Sequence, residues 1–368
     1  MSVVSLGALA AREAAARAEL PIEAFGEVVV SNCRQAGNGP NPGRQMALRA
    51  GVSQSVPAAT INMACASGLK VIALAHQSVT SGTSDVALAV AAESMSRMPY
   101  LGSHELRWSG VKRGDIVLRD GWQDGGTDPI CGMNMGQTAE KVAAEYGIDR
   151  EAQDDWSARS HERVAAAWRE GRFTAEIVPV ELPDGKLFER DETYREVTDR
   201  AKLATLKPSF SADGTVTAGN SSQMADGAAA ILLASGAAVK AHGLKPRAVL
   251  RSFAAVGVDP TVMGIGPTQA IPRALELAGV TLDQIELFEI NEAFAAQIVQ
   301  NVRALGLDEE RVNVNGGGIA LGHPTGQSGC RLVVTLLGEL ERRGATLGVA
   351  SLCVGGGIGV AAVIERVS

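Results

Sequence analysis

The chain has 368 residues, 46% of them hydrophobic, with 34 basic and 41 acidic side chains for a formal net charge of −7. That length predicts two or three domains with well-buried cores. A mildly acidic chain without blocks of like charge excludes nonspecific nucleic-acid binding. No apolar run reaches the roughly 20 residues of a membrane span, and the short apolar start has no basic region ahead of it, so no signal peptide is expected. The five cysteines, at 33, 65, 131, 330 and 353, are scattered and none has CxxC spacing. They predict neither a disulfide framework nor a zinc site, and they fit a reducing, cytoplasmic setting.

In chain order, residues 5–19 read as a helix and 25–31 as a strand. Residues 58–64 read as a short strand ending at Cys65, and 67–80 as a helix with apolar residues at helical spacing. The fully apolar run 84–92 reads as a buried strand. From 97 to about 212 the composition changes: all four tryptophans and all three tyrosines fall here, among charges and Gly/Asp-rich turns. Two helices are expected within it, near 135–146 and 150–171, and the stretch reads as an inserted loop domain. Strand–helix alternation then resumes with a strand at 228–234, a helix near 235–242, a strand at 247–258, a helix at 271–280 and a strand at 285–290. The two ends form a degenerate repeat of turn, helix, glycine turn and apolar strand, once over 65–92 and again over 326–353. A duplicated fold with the active site between its halves follows.

Three side chains sit in turns cushioned by small residues. Cys65, in A-C-A-S-G (64–68), falls at a strand-to-helix junction. The thiolate is the nucleophilic form, and a helix N-terminus is expected to lower the thiol's pKa. His323 lies in G-G-G-I-A-L-G-H-P (316–324), and a neutral imidazole can take a proton near pH 7. Cys353, in S-L-C-V-G-G-G-I-G (351–359), is a second thiol. Dense glycine lets a ligand or another backbone approach closely, so two thiols and an imidazole placed this way point to thiolate chemistry on a carbonyl. His76, His104, His161 and His242 lack a glycine framework and read as capping or core residues. Cys33, Cys131 and Cys330 read as small buried hydrophobes.

Further segments complete the pattern: E-S-M-S (93–96), N-M-G-Q-T-A-E (134–140), E-I-V-P-V (176–180), G-T-V-T-A-G-N-S-S (214–222) and N-E-A-F-A (291–295). With the turns above, they resemble the thiolases, the acyl-CoA C-acyltransferases, in order and from about residue 3 to the end. The resemblance implies an α/β thiolase fold, two duplicated α/β halves in a five-layer α/β/α/β/α arrangement with an inserted loop domain. It implies a first half over 1–96 plus 213–245, a coenzyme A-binding loop domain over 97–212 and a second half over 246–368. Cys65 would accept the acyl group, His323 would be its base, and Cys353 would move a proton to and from the α-carbon. His323 and a water held by Asn291 would bind one thioester oxygen, and the backbone N–H groups of Cys65 and Gly355 the other. Glu292 reads as structural, paired with buried backbone. Coenzyme A, a substrate rather than a cofactor, would meet Met135, Arg195, Phe210, Ser222 and Phe294, with Arg195 toward its phosphates and Ser222 toward a pantetheine amide. No resident cofactor or metal is implied.

The implied reaction is thiolytic cleavage of a 3-ketoacyl-CoA to acyl-CoA and acetyl-CoA, or the reverse Claisen condensation. The alternatives are an acetoacetyl-CoA-specific acetyl-CoA acetyltransferase and a catalytically idle acyl-CoA binding protein of thiolase ancestry. Cys353 and the loop domain argue against a ketoacyl synthase. Asn134, where acetoacetyl-forming thiolases tend to carry histidine, and S-S-Q-M-A-D-G-A-A (221–229) favour longer degradative substrates. A homodimer through edge strands of the first-half sheets is expected, or a tetramer made from it. One departure stands out: the family's opening strand and R-T-P turn precede the helix at 5–19 and are not in this sequence. That strand is expected inside the first sheet, hydrogen-bonded on both sides, so the natural product is expected to carry an N-terminal extension that supplies it.

Overall fold

The computed structural model describes residues 1–110, 113–182 and 184–367. Two four-stranded sheets carry the fold. In the first, strand Glu27–Ser31 lies between Ala58–Ile61 and Val86–Ser94, parallel to both, and Asp226–Ala234 closes the far side antiparallel to Val86–Ser94. In the second, Leu287–Ile290 runs parallel to Leu347–Val354, and Ile358–Arg366 and Ala248–Gly257 follow antiparallel. The run Val86–Ser94 is buried along its whole length, as a strand covered by helices on both faces must be.

Five layers result. Helices Val3–Arg17 and Pro42–Ala50 cover the outer face of the first sheet, and Gly266–Ala278 and Ala295–Leu305 flank the second. Between the sheets run Ser67–Thr80 and Ser328–Arg343, packed on one another. The central core joins these two helices to the inner faces of both sheets, with Leu69, Leu332, Leu336 and Leu352 at 0–1% exposure. Each such side chain contributes about 1.5–3 kcal/mol on burial. The two helices touch at Gly68 and Gly329. A Cβ on Gly68 would fall 2.8 Å from Cys330 N, and one on Gly329 would fall 2.4 Å from Leu69 N. Only glycine allows so close a crossing.

Three expectations shift. The strand expected over 58–64 stops at Ile61, because Asn62–Ala64 turn sharply and Cys65 enters the helix that follows. The helix expected at 271–280 begins at Gly266, because Pro267 occupies its first turn, where no N–H is needed. The first sheet also has no gap: its four strands pair continuously. In the second half, Ala248–Gly257 borders Ile358–Arg366. The matching place in the first half lies outside Asp226–Ala234, at an edge that bears no strand among the described residues. The expectation of a strand missing from inside the sheet is therefore corrected.

Among the described residues, the segment 97–225 adds no strand to either four-stranded sheet. It carries helices Met135–Glu145 and Arg150–Arg169. Glu140 accepts from the backbone N–H groups of Thr215 and Val216 at 2.9 and 3.0 Å, which ties 214–222 to the first of these helices before the chain returns to the sheet.

Candidate active site

The turn that carries Cys65 is built from three side-chain hydrogen bonds. Asn62 Oδ1 accepts from Ala64 N at 2.9 Å, while Ser67 Oγ accepts from Met63 N and donates to Ala64 O, both at 2.7 Å. These hold Ala64 at φ 45°, a left-handed conformation that costs an L-residue roughly 1–2 kcal/mol. The strained turn presents Cys65, half-buried, two residues before helix Ser67–Thr80 begins. The backbone N–H groups of Gly355 and of Cys65 itself act on the sulfur. The expected depression of the Cys65 pKa is not found. Burial pushes the thiol up and outweighs the Arg34 guanidinium and the two N–H donors, because a thiolate loses more hydration than they return. Cys65 is therefore a neutral thiol at rest.

His323 follows Gly322, whose φ of 87° turns the chain into the site. Its Nδ1 lies 2.5 Å from Ser328 Oγ, and that hydroxyl donates to Pro324 O at 3.1 Å. With its hydrogen so used, Ser328 accepts from Nδ1–H, which leaves Nε2 as the lone-pair nitrogen. Nε2 faces Asn291 Nδ2 at 3.4 Å. Burial, then the charges of Arg331 and Arg34, hold the imidazole neutral with a pKa lowered to about 4. Asn291 Oδ1 is sealed from solvent with no hydrogen-bond partner, the kind of orphan acceptor that a bound water or substrate donor satisfies. Cys353, at the end of Leu347–Val354, is fully buried, and burial and the neighbouring Cys65 push its thiol well up.

The structure brings Met135, Phe210, Ser222 and Phe294 to this same side. Met135 Sδ lies 2.9 Å from where a Cβ on Gly355 would be. Phe210 meets Phe294 edge-on at 6.0 Å, and Ser222 N donates to Ala293 O. Arg195 is exposed, and its backbone N–H donates to His161 Nδ1 at 3.1 Å. Glu292 is buried and accepts from Trp156 Nε1, Ser160 Oγ, Asn313 Nδ2 and Ile319 N. It locks the 313–319 loop against helix Arg150–Arg169. Cys330 is buried, its thiol pushed up to about 12, whereas Cys33 donates its S–H to Ala64 O and so supports the Cys65 turn. Among the described residues no cluster of His, Cys, Asp and Glu is placed to hold a metal ion.

Two contributors escaped the sequence reading. Ser328 orients His323, yet a serine at a helix start carries no distinguishing pattern. Glu93 did leave a signal, a lone charge at the end of the apolar run V-A-L-A-V-A-A. It is fully buried and accepts from Asn32 Nδ2, the backbone N–H groups of Cys33, Arg34 and Gly326, and Thr325 Oγ1. It thereby joins the loop after the first strand to the loop of His323.

A doubled α/β fold places two thiols and an imidazole where its central helices cross, an arrangement able to carry an acyl group on cysteine. The models of the thiolase N-terminal and C-terminal domains match residues 1–237 and 244–366. The chain is 46% identical to an acetyl-CoA acetyltransferase of Escherichia coli, with 100% of this chain and 94% of that one covered. It is 48% identical to a 3-ketoacyl-CoA thiolase of Bacillus subtilis, covering 90% and 84%. Among solved structures it superposes on human mitochondrial 3-ketoacyl-CoA thiolase in complex with CoA with a TM-score of 0.97 at 38% identity, covering 100% and 93%. The chain belongs to the thiolase family of acyltransferases.

Proposed function

We propose that this thiolase cleaves 3-ketoacyl-CoA thioesters longer than acetoacetyl-CoA, with coenzyme A as the acceptor. The observation that carries the reading is the convergence of Cys65, Cys353 and His323 where the two halves meet, with Asn291 and Gly355 beside them. Neutral His323 Nε2 takes the Cys65 proton, and the thiolate attacks the 3-keto carbon. The C2–C3 bond breaks, and the acetyl-CoA enolate takes its proton from Cys353. A thiol with a strongly raised pKa is closer in acidity to a thioester α-carbon than an ordinary thiol is, which makes that transfer less one-sided. The thiol of coenzyme A then gives its proton to the Cys353 thiolate and attacks the acyl-Cys65 thioester, and Cys65 recovers its proton from His323. The N–H groups of Cys65 and Gly355 support the oxyanion of the acyl-cysteine, while His323 and a water on Asn291 support the enolate oxygen.

Chain length rests on Asn134. Its side chain caps helix Met135–Glu145 in a reciprocal pair with Gln137, both bonds at 2.9 Å, and so supplies no imidazole at that position. Met135, Phe210, Phe294 and Ser222 are proposed to contact pantetheine, and exposed Arg195 the nucleotide phosphates. The free edge of Ala58–Ile61 is proposed as the contact between two copies in a homodimer. Five free cysteines fit work in the cytoplasm. No helix among the described residues is long and apolar enough to cross a membrane. Thiolysis assays with acetoacetyl-CoA and 3-ketodecanoyl-CoA test the reading. A higher kcat/KM for the longer substrate is expected, the reverse order supports an acetoacetyl-CoA-specific enzyme, and turnover of neither leaves only the idle binding protein.

A further inference from the structure

Arg34 brings to the site a charge that the mechanism does not use. Arg34 lies three residues beyond strand Glu27–Ser31. Its backbone N–H donates to Glu93 Oε1 at 3.1 Å, and Glu93 also accepts from Thr325 Oγ1 and Gly326 N, so the loop bearing Arg34 is fastened to the loop bearing His323. The side chain is half-buried, and its Nε is sealed from solvent with no hydrogen-bond partner. Among the described residues the guanidinium forms no ion pair and no hydrogen bond. Glu93, which the Arg34 backbone N–H meets, spends its oxygens on neutral donors. The tip of Arg34 lies over Gly125, where a Cβ would fall 1.1 Å from Nη1. The guanidinium thus sits between the first-half loop and the segment leading to Met135, and its charge is felt at both Cys65 and His323.

A guanidinium carries five N–H donors in a rigid fork, and leaving them unanswered in a half-buried place is unfavourable unless an anion visits. The fork matches a carboxylate. Two parts of the substrate could bring negative charge, the coenzyme A phosphates and the far end of the acyl chain. Met135, Phe210, Ser222 and Phe294, four of the five residues proposed for coenzyme A, gather around Gly355 and Ala293. The guanidinium of Arg34 stands outside that group and close enough to Cys65 and His323 for its charge to act on both, where the acyl group of Cys65 would lie.

We propose that Arg34 receives a carboxylate at the far end of the acyl chain, so that this thiolase accepts 3-ketoacyl-CoA thioesters of dicarboxylic acids. The proposal rests on Cys65 as the acyl acceptor. The test compares 3-ketohexanoyl-CoA and 3-ketooctanoyl-CoA with the same two chains ending in a carboxylate, in the wild-type enzyme, Arg34→Leu, Arg34→Lys and Gly125→Ala. The readout is the ratio of kcat/KM for the carboxylated and neutral member of each pair, because loss of the charge also alters Cys65 toward both. Arg34→Leu is expected to lower the ratio by roughly 10- to 100-fold for the better-fitting length, the worth of a hydrogen-bonded charge. Arg34→Lys should keep part of it. Gly125→Ala, which displaces the guanidinium without removing it, should lower it too, and thermal melts show which variants fold. A ratio within twofold of wild type in folded Arg34→Leu overturns the proposal, as does a wild-type enzyme that cleaves both neutral substrates and neither carboxylated one. Cleavage of none of the four substrates overturns the proposed preference for chains longer than acetoacetyl-CoA, and this proposal with it.

Discussion

The two halves place different chemistry at matching positions. In the first sheet Ser31 pairs with Ala91, and in the second Ile290 pairs with Ser351. One residue past each left-hand partner comes a buried asparagine, Asn32 or Asn291, and two residues past each right-hand partner comes Glu93 or Cys353. The central helices match as well, Ser67–Gly68 with Ser328–Gly329, so Asn62 stands where the other half has His323, and Cys65 where it has Gly326. Each strand end meets the turn of the opposite half. Glu93 accepts from Gly326 N at 2.9 Å, and Cys353 lies in the field of Cys65. A carboxylate at this position gathers five donors and becomes a staple. A thiol gathers no strong donor and stays free to react. One scaffold thus yields a structural crossing and a reactive one, and the side chain at the strand end decides which.

Breaking the reactive crossing should have the largest effect. Cys65→Ser is expected to reduce thiolysis by on the order of 10⁴-fold or more, as loss of a nucleophile does elsewhere, with the melting temperature nearly unchanged. Mass spectrometry of the wild type after brief exposure to an acyl-CoA should find the adduct on Cys65, and an adduct on Cys330 would refute the assignment. Cys353→Ala should still form that adduct but lose exchange of the acetyl-CoA α-protons with heavy water. Exchange at the wild-type rate would remove Cys353 from proton transfer.

Breaking the structural crossing should act on stability instead. Glu93→Ala strands four N–H groups and a hydroxyl, three of them in or beside the Cys33–Arg34 loop and two in the His323 loop. Removing one side of so buried a network costs about 3–5 kcal/mol, readable as a lower denaturant midpoint. If Glu93→Ala unfolds at the wild-type midpoint, the two crossings do not divide the labour as argued.

How much of this was legible follows the same division. Both reactive turns were readable because their glycines and small residues have no use in an ordinary helix or strand, and the 86–94 and 347–354 strands because apolar runs of that length are buried. The Asn32–Glu93 staple was not, since hydrogen bonds across 60 residues leave no local pattern. Arg34 was not, because a loop arginine reads as solvated until the packing around it is known. The expected low pKa of Cys65 failed for a related reason: the helix terminus is a local feature, whereas the desolvation that overrides it comes from both halves closing together. The misplaced strand failed on topology, since order along the chain does not disclose order across a sheet.

The histidine position offers a smaller effect with a definite sign. His323 titrates near 4 in the folded chain, against about 6.5 when unfolded. Below pH 6.5 the unfolded chain takes up a proton that the folded one refuses, so stability falls as pH drops from 6.5 to 4 and this contribution levels off below. The loss is about 3 kcal/mol at its fullest. His323→Asn, which installs the residue of the other half, should flatten the difference between urea melts at pH 7 and pH 4.5 by a comparable amount. An unchanged slope would mean that His323 is not held neutral. For catalysis, the same shift keeps the imidazole in its base form down to about pH 5, so the acid limb of kcat should not show an ordinary histidine.

The smallest effect concerns the outer edges of the sheets. Ile358–Arg366 is paired on both sides, and its first eight residues are mostly buried. Asp226–Ala234 is paired on one side only, and its residues are half-exposed, with Asp226 fully so. A groove of about 1900 Å³ runs along that free edge, lined in part by Leu6, Ala10, Ile231, Leu233, Val239 and Leu250, and none of Cys65, His323 and Cys353 lines it. Alternate amides of an edge strand have no backbone acceptor, so they exchange with solvent without any opening of the sheet. Native-state hydrogen exchange should therefore show fast and slow amides alternating along 226–234, and uniform protection along 359–364. The alternation reports local opening and should leave thiolysis unchanged. Uniform protection along 226–234 would mean that something in solution pairs with this edge, and the two halves would then be alike at their rims as well as at their crossings.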